Sequence, residues 1–542
     1  MGEAFDLEQR TTRSNEIQSG SRLSMYDAII IGAGHNGLVT AAYLAKSGKR
    51  VIVLERRGIT GGTLVSETFG EGFKVDAVHA GGMLRPDIIK DLKLDLLGYP
   101  AVARKTARVS LLSRNERLIL DPDPVRAAEA IKHLSEGDAR RWPDFVEYME
   151  KSSRFLEVLY ATIMPRLPRN FSLAEGYGLA ELLLELRLMG RKEMLAFIRM
   201  LPMSAVEFLE EWFESEAVKV ALASLAIHGV TLGVMSAGTA YNLLHNWFVR
   251  GGLTYQNPGK AGNISDALAS AVTAYGGEIR THSEVESILI DTYTCKGVRL
   301  VNGEEIHADL VVSALDPRRT FLKLAGAINL PPEFVWNVQS IKMRGSVAKV
   351  HFLLERPLGR LESNSKAREQ TEPHTSLFGI ASSINQLERA YDSAKYGQIS
   401  EQPYMEFTTS ANTVSAHMQY APYALKIGSW IAGRKTLEEL VVNTLEEYFP
   451  NFKSSIRQII SLTPADLEET YGLTEGEINH GQLMLDQQLF MRPIPGWSNH
   501  KTPLDGLYLC GSGVHAGGGV SGASGRNAAV VILRDKARYR IG

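Results

Sequence analysis

The feature that most constrains the fold is a glycine-rich turn near the start of the chain, set between an apolar run and a helical pattern. The run YDAIIIGAG, from Tyr26, is continuously apolar, which is typical of a buried parallel strand. The segment GLVTAAYLAKSG has the pattern of a helix closed by Gly48, and RVIVLE predicts a second strand. Together these segments predict a βαβ unit of about 30 residues.

The turn itself reads GAGHNG and places Gly32, Gly34 and Gly37 at the G-x-G-x-x-G spacing. The first glycine permits a tight turn, the second lets backbone approach a phosphate, and the third packs the helix on the strand. A pyrophosphate would lie at the helix N-terminus, where unpaired N–H groups and the helix dipole favour anions. Glu55 ends the second strand and can bind ribose hydroxyls. We therefore expect a dinucleotide here, NAD(P) or FAD.

Length and composition limit the remaining possibilities. Single cores stop growing at roughly 250–300 residues, so a chain of 542 residues predicts two intertwined domains. The net charge of -2 gives no indication of a nucleic-acid partner. The two cysteines, Cys295 and Cys510, form no C-x-x-C motif, which excludes a redox dithiol of that kind and a cysteine-only zinc site. We predict no metal site.

The first 24 residues are polar and include acidic side chains, which fits neither a secretory signal nor a mitochondrial presequence. We expect a disordered head at 1–24. No run of 18 or more apolar residues predicts a membrane span. These features favour a cytoplasmic location.

The pattern of elements changes along the chain. Residues 111–250 read as successive amphipathic helices, whereas 251–335 resume βα alternation and include a hairpin with Asn302-Gly303 at its turn. Residues 336–469 mix strands and a helix, and the last segment is again strand, glycine-rich turn and helix. We predict a discontinuous nucleotide-binding domain at 25–110, 251–335 and 470–542, and a substrate domain at 111–250 and 336–469.

Two features favour FAD over NAD(P). Arg56 and the pair Gly61-Gly62 follow the ribose acid, which indicates a longer ligand followed by further backbone contacts. The C-terminal GLYLCGSGVHAGGGVSGASGRNAA is a second strand-turn-helix unit. Its helix, from about Gly522, would direct its positive end at the flavin pyrimidine.

These two ends resemble the phytoene-desaturase-related flavoproteins, and LDQQLFMRPIPGWSNHKTPLDGLYL strengthens the resemblance. Within that group the chain is similar to cyanobacterial-type β-carotene ketolases and to a branch with mitochondrial members in animals, which makes mitochondria the alternative location. The resemblance implies one FAD and a mixed α/β and α+β fold of the amine oxidase type. In it, a Rossmann-like FAD-binding domain carries an inserted mixed substrate domain with a helical part.

Carried over by position, the resemblance implies a set of FAD-binding residues. The ADP half would contact Gly32, Gly34, Gly37, Glu55, Arg56 and Gly62, with Val285 facing the adenine through its backbone. The ribityl chain and the flavin ring would contact Gly511, Ser512, Gly513, Gly519, Val520 and Gly522.

No acid–base motif names a catalytic residue. His515, in the flavin-facing turn, and His79, after a predicted strand, are weak candidates for polarising a substrate or lining the cavity. Each is also compatible with a histidine bonded to backbone. Arg526 could reach a phosphate or an acidic side chain, or lie on the helix surface beside Asn527.

The leading functional hypothesis is an FAD-dependent oxidoreductase that desaturates or oxidises a small hydrophobic, isoprenoid- or carotenoid-like substrate, with oxygen or a quinone as electron acceptor. Large apolar residues in the helical insertion fit either a greasy tunnel with peripheral membrane association or a plain helical core. A second hypothesis is amine oxidation, with Tyr420, Tyr423 and Trp497 as an aromatic cage. A third is an FAD-binding regulatory protein with little turnover. The oligomeric state is not predicted.

Overall fold

The computed structural model describes residues 26–70, 72–99, 106–167, 173–253, 261–358 and 377–539, and the structural statements below refer to these ranges. The head predicted to be disordered, 1–24, lies outside them. Within the described part, no helix combines the length and apolar character needed to cross a bilayer.

The strands fall into two seven-stranded sheets and one hairpin. In chain order they are β1 (Tyr26–Ile31), β2 (Val51–Leu54), β3 (Ser66–Phe69), β4 (Phe73–Asp76), β5 (Arg108–Leu111), β6 (Arg117–Leu120), β7 (Glu278–Arg280), β8 (Val285–Asp291), β9 (Thr294–Leu300), β10 (Glu305–Ser313), β11 (Val347–Leu354), β12 (Leu377–Ile380), β13 (Met405–Ser410), β14 (Thr413–Gln419), β15 (Ile456–Leu462) and β16 (Leu507–Leu509).

Most of the α-helices connect strands along the chain. In chain order they are α1 (His35–Lys46), α2 (Pro86–Leu92), α3 (Pro124–Lys132), α4 (Glu136–Ala161), α5 (Leu173–Leu188), α6 (Arg191–Met200), α7 (Ala205–Glu210), α8 (Glu216–Ala226), α9 (Thr239–Arg250), α10 (Ala261–Ala274), α11 (Pro332–Gln339), α12 (Ile384–Lys395), α13 (Trp430–Tyr448), α14 (Pro464–Tyr471) and α15 (Ala523–Tyr539).

The first sheet has the order β7-β2-β1-β10-β9-β8, with β16 also paired to β10. Strands β7, β2, β1, β10 and β16 are parallel, and the apolar runs predicted to be buried strands lie at its centre. The predicted hairpin at Asn302-Gly303 is confirmed, since β9 pairs antiparallel with β10. Helices α1 and α10 pack together on one face with buried Leu38, Leu44 and Leu268. This sheet therefore assembles from three distant parts of the chain.

The second sheet has the order β15-β11-β14-β13-β12-β5-β6 and two chemically different faces. On one face, Val350, Phe352 and Met418 join the core beneath α13. Because side chains alternate along a strand, the intervening residues lie on the other face. There β11 carries Lys349 and His351, buried like the apolar residues beside them. A charged inner face is thus built into this sheet.

Helices α4 to α9 form a separate layer with its own large apolar core. Trp142, Phe145 and Phe213 lie at its centre, with ring centroids 5.0–5.9 Å apart. Much of the apolar pattern in the helical insertion is explained by this core. The large apolar side chains of the insertion that stay exposed lie mainly on α5 and α6.

Candidate cofactor and substrate site

A cavity of about 420 Å³ opens where the first sheet's parallel strands end. It is bounded by the residues that follow β1, β2, β10 and β16, together with the start of β8. In open parallel sheets this carboxyl edge is where ligands bind. The cavity also lies within the size range of small-molecule and cofactor sites, roughly 300–1,000 Å³.

Each glycine of the triad has a distinct local role. Gly32 adopts φ +93°, a left-handed conformation that other residues disfavour. A Cβ on Gly37 would lie 2.3 Å from the Gly32 carbonyl oxygen, so only glycine lets the helix approach the strand. A Cβ on Gly34 would meet nothing within 4 Å, because this backbone faces the open cavity. Gly34 therefore leaves room for a ligand to approach the backbone closely.

The N-terminus of α1 is available to an anion. Gly34 is its N-cap residue, no side chain of the described residues caps the helix there, and its first turn holds no acidic residue. The first N–H groups of a helix lack intrahelical partners, and here they border the cavity. This geometry fits the pyrophosphate of a dinucleotide such as the FAD expected above.

Glu55 is held rigidly at the cavity edge. Its Oε2 accepts a 2.9 Å bond from the Ala33 N–H, and its Oε1 accepts a 2.9 Å bond from the Arg57 N–H. Each carboxylate oxygen keeps a further lone pair, so the group can still accept hydrogen bonds from hydroxyl groups. Its position at the end of β2 suits a ribose.

Arg56 lines the cavity, but its guanidinium is already engaged. Nη2 donates to the carbonyl oxygens of Glu469 and Thr470 at 3.0 and 2.8 Å, near the C-terminus of α14. Arg56 thus connects the end of β2 in the first sheet to the C-terminus of α14. A phosphate contact predicted for Arg56 would come in addition to these bonds.

Two further cations reach the cavity from the π-helical segment Arg319–Gly326, which the sequence pattern did not indicate. They are Arg319 and Lys323. The Arg319 Nε and the His480 Nδ1 are buried, and neither has a hydrogen-bond partner among the described residues. Unsatisfied polar atoms at the edge of a cavity are expected where a polar ligand binds, because leaving them unpaired is costly.

The structure brings most of the predicted binding residues to this one cavity. Those that line it are Gly32, Gly34, Gly37, Glu55, Arg56, Gly62, Val285, Gly511, Ser512 and Gly519, together with His79. Their individual contacts to FAD stay predictions.

Four predicted residues are not among the described residues that line the cavity. They are Gly513, His515, Val520 and Gly522. Gly513 packs against Pro317, the Val520 side chain fills the space above Gly82, and Gly522 lies among Val39, Leu84 and Ile88. His515 is buried and its Nε2 is 3.0 Å from the Leu159 carbonyl oxygen. Burial lowers the pKa of His515 to about 3. The alternative in which His515 is a backbone-bonded loop histidine fits this geometry.

The other named candidates occupy structural positions. Arg526 pairs with Asp87 at 3.2 Å, and Asn527 donates to the Tyr160 carbonyl oxygen. Tyr420 donates to the Leu232 carbonyl oxygen at 2.7 Å, inside the core.

Tyr423 donates to Glu468, and Trp497 packs edge-on against Phe334. Neither of these residues, nor Tyr420, is among the described residues that line the cavity. The described structure therefore does not assemble these three aromatic rings into a cage.

A short segment that begins at the last residue of β4 separates the cavity from a second, smaller one. Asp76, Val78 and Ala80 line the smaller cavity, whereas His79 lines the larger one. The Ala77 carbonyl oxygen lies 3.0 Å from the His351 Nε2, which fixes this segment to β11. The segment forms a wall between the dinucleotide cavity and the charged face of the second sheet, since its residues line both cavities.

Lys349 lies behind this wall on β11. Its Nζ is 2.8 Å from the His417 Nδ1, and both side chains line the smaller cavity. Burial lowers the pKa of Lys349 to about 7. Burial and then the Lys349 charge lower the pKa of His79 to about 3. This pairing gives the site an amine that can exchange a proton near neutral pH.

Glu406, on β13, is the only carboxylate in a buried cationic cluster of the described structure that includes Arg108 and Arg250. It accepts from Arg108 Nη1 at 2.9 Å and from Arg250 Nη2 at 3.1 Å, and it lies 3.0 Å from the His228 Nδ1. Burial alone would raise the pKa of Glu406, but the charges of Arg250 and Arg108 hold it well below its usual range. The carboxylate is therefore ionised at neutral pH.

We expect Glu406→Ala to lower the free energy of unfolding by about 3–5 kcal/mol, because it leaves buried guanidinium groups without their counter-charge. Urea denaturation measures the loss. The control is Glu305→Ala, whose pair with Arg299 is about half exposed, so the change in stability should be much smaller. Equal losses in the two variants would contradict the role given to Glu406.

Arg492 organises the turn between β16 and α15. Its buried guanidinium donates to backbone carbonyl oxygens from two stretches of chain, and burial lowers its pKa to about 10. The acceptors are Asn479, Gly481, Gln482, Gln487 and Ser512. Since Ser512 lines the dinucleotide cavity, Arg492 holds part of the cavity wall in place.

Both cysteines are buried thiols with no disulfide. Burial raises the pKa of each to about 12, so neither is a reactive thiolate at neutral pH. The chemistry of this site does not depend on a cysteine pair.

Comparison with known proteins gives a consistent result. A family model described as flavin containing amine oxidoreductase matches residues 37–533. Pyridine nucleotide-disulfide oxidoreductase domain-containing protein 2 from Rattus norvegicus is 34% identical, over 96% of this chain and 96% of its own length.

More distant relatives carry names from terpene and carotenoid chemistry. One of the subunits of limonene dehydrogenase from Castellaniella defragrans is 25% identical over 95% of this chain and 96% of its own. A lycopene-forming phytoene desaturase from Pseudescherichia vulneris is 24% identical over 94% and 100%.

Among solved structures, an oxidoreductase from Methanosarcina mazei shares the fold. Its TM-score is 0.56 at 16% identity, over 94% of this chain and 99% of that one. The predicted fold class is confirmed.

Proposed function

We propose, on the premise that the chain belongs to the flavin-containing amine oxidoreductase family, that this FAD-dependent oxidoreductase removes two hydrogens from a hydrophobic, isoprenoid-like substrate. The names of two relatives support this substrate class, since limonene and phytoene are both isoprenoid hydrocarbons. The family relationship establishes the cofactor and the general reaction. The substrate class is our proposal.

The residues at the first sheet's edge fit FAD. Gly34 and the α1 N-terminus would receive the pyrophosphate, Glu55 a ribose, and the turn at Gly511-Ser512 the flavin end. When bound, FAD supplies the acceptor for a hydride that leaves a substrate carbon. The protein must then orient the substrate, exclude water and accept a proton.

The observation that carries the proposal is the position of Lys349. Formation of a carbon–carbon double bond releases a proton as well as a hydride, so a dehydrogenase of this kind benefits from a nearby base. Lys349 is buried, its pKa is near 7, and it lines the smaller cavity behind the wall segment whose His79 lines the larger one. Neutral Lys349 can accept the proton and His417 can hydrogen-bond to it.

The neighbouring buried cluster is charged, but apolar contacts are also available. Glu406 pairs with both Arg108 and Arg250, which leaves one net positive charge among these three side chains. Apolar side chains also reach the two cavities, including Val78, Leu473 and Ile478. A hydrocarbon would therefore contact Leu473 and Ile478 in the larger cavity, because the smaller one, at about 20 Å³, has room for about one water molecule.

The test is anaerobic mixing of the FAD-loaded protein with a panel of substrates, with the absorbance of oxidised flavin as the readout. We expect isoprenoid hydrocarbons or alcohols to bleach the flavin, and oxygen or a quinone to support turnover. Bleaching by polyamines or cyclic amines alone would support amine oxidation. A flavin that no panel member bleaches would support the low-turnover FAD-binding alternative.

A further inference from the structure

His35, one of the two polar side chains inside the glycine turn GAGHNG, has no part in the function proposed above. It is the first residue of α1, directly after Gly34, and it lines the dinucleotide cavity. Only 8% of the residue is exposed, and its Nε2 has no hydrogen-bond partner among the described residues. A buried ring nitrogen at the edge of a ligand cavity gains a partner when a polar ligand fills that cavity.

The other polar side chain of the turn already has its partners. Asn36 Nδ2 donates to the Ser512 Oγ at 3.3 Å, and Asn36 Oδ1 accepts from the Gly525 N–H at 3.2 Å. Asn36 therefore connects the first glycine turn to the C-terminal one. His35 also reaches the C-terminal turn, through a hydrogen bond to the Gly519 backbone. Of these two side chains, His35 is the one whose unpaired nitrogen can still bind a ligand.

The hydrogen bond to Gly519 decides which kind of ligand atom suits Nε2 of His35. Burial, and then the neighbouring His480, lower the pKa of His35 to about 4, so the ring is neutral at pH 7. The bond to Gly519 opposes that shift, which means that the ring donates and a carbonyl oxygen accepts. Because Nε2 has no partner, the donor is Nδ1. The remaining lone pair on Nε2 accepts a hydrogen bond from a hydroxyl group, whereas a phosphate oxygen has no proton to donate to it.

The position of His35 selects one part of FAD. Gly34, before it, borders the expected pyrophosphate site, whereas Ser512 and Gly519 border the expected flavin end. The ribityl chain joins these two parts of FAD, and its hydroxyl groups are hydrogen-bond donors.

We propose that His35 Nε2 accepts a hydrogen bond from a ribityl hydroxyl of FAD while Nδ1 holds the Gly519 carbonyl oxygen. His35 is then a cofactor-binding residue that also joins the two glycine turns around the cofactor. The proposal rests on the FAD of the family and not on the identity of the substrate.

Titration of the full-length apoprotein with FAD and with ADP tests this contact without any substrate. ADP has the adenosine and the pyrophosphate but no ribityl chain. His35→Leu should weaken FAD binding about 10- to 100-fold, because a ribityl hydroxyl then lies buried without an acceptor. The same variant should bind ADP as wild type does, which also establishes that it is folded. His35→Gln, whose amide oxygen can accept a hydrogen bond, should recover much of the lost affinity for FAD.

The matched control is His500→Leu. His500 is also buried, its Nδ1 lies 3.0 Å from the Leu509 carbonyl oxygen, and its Nε2 has no partner among the described residues. It is not among the described residues that line the cavity. His500→Leu therefore loses the same kind of backbone bond, and its affinity for FAD should stay at the wild-type level.

An FAD analogue that lacks the ribityl hydroxyls identifies the ligand atom. It should bind wild type and His35→Leu with similar affinity. Equal losses of FAD and ADP affinity in His35→Leu, or an equal loss of FAD affinity in His500→Leu, would overturn the proposal. So would an analogue whose affinity falls in His35→Leu as much as that of FAD, because Nε2 would then contact the flavin ring instead.

Discussion

Gly34→Val is expected to yield a folded protein that purifies without FAD. The Gly34 Cβ position faces the open cavity, so the valine side chain would occupy the space where the pyrophosphate approaches the backbone. Loss of two charge-assisted bonds to the α1 N-terminus costs about 3–6 kcal/mol, which weakens FAD binding roughly 10²- to 10⁴-fold. The measurement is titration of the apoprotein with FAD, followed by flavin absorbance.

The matched control for this variant is Gly137→Val. Gly137 lies in the first turn of α4, and its Cβ would have as its nearest neighbour the Ser135 Oγ at 3.6 Å. Valine fits there without steric conflict, and no cofactor is expected near it, so FAD binding should be unchanged. If Gly34→Val retained wild-type affinity for FAD, the cavity at the α1 N-terminus would not be the pyrophosphate site.

Lys349→Met is expected to slow the reduction of the flavin by substrate about 10²- to 10⁴-fold, the usual contribution of a positioned base. The pKa of Lys349 is about 7, and the proton acceptor is the neutral amine, whose fraction increases with pH. The wild-type rate should therefore rise through about pH 7 and level off above it. The variant should lack this limb. Stopped-flow absorbance across a pH series measures both effects.

Two further variants separate proton transfer from charge and packing. Lys349→Arg keeps a positive charge that is not lost at any working pH, so its rate should stay low even where the wild type is fastest. Lys342→Met removes a lysine whose partner is Asp486 at the surface, and should leave the pH profile unchanged. A wild-type profile that survives in Lys349→Met would remove Lys349 from the mechanism.

Stability gives an independent readout of the same group. Lys349 has its pKa lowered from 10.5 to about 7 in the folded state, so the unfolded chain binds more protons between these values. Wild-type stability should therefore rise with pH across that window, and Lys349→Met should remove this part of the rise. Urea midpoints measured at several pH values test the sign.

The cofactor side of the site could be predicted from sequence because its signals are local. The glycines of the triad lie within six residues, and Glu55 lies at the end of the next strand. The βαβ unit fixes their relative positions, so the spacing alone brings them to one sheet edge. The comparison with known proteins then confirmed the cofactor class.

The turn at 511–522 shows where residue spacing does not predict which residues line the cavity. The resemblance assigns its residues to the flavin as a group, but within a tight turn neighbouring residues point in different directions. Gly511, Ser512 and Gly519 reach the cavity, whereas Gly513 and Gly522 make close packing contacts elsewhere. Backbone direction inside such a turn depends on the elements packed around it, which the local sequence does not specify.

The charged cluster on the second sheet was missed for a different reason. In SVAKVHFLLE the alternation places Lys349 and His351 on one face, and that signal was readable. Its partners Arg108, Glu406 and His417 come from strands far away in the chain. Strand order and register decide whether such residues meet. Neither can be derived from one sequence unless it is known which strands pair.

The late position of β16 has a consequence for how the protein is made. Residues 507–509 complete the pairing of β10, and the adjoining turn supplies Gly511, Ser512 and Gly519 to the cavity. During synthesis the second sheet and the helical layer leave the ribosome before that strand does. Until then β10 has an unpaired edge, which is open to wrong partners. The nascent chain therefore contains the second sheet and the helical layer before it has a complete place for its cofactor.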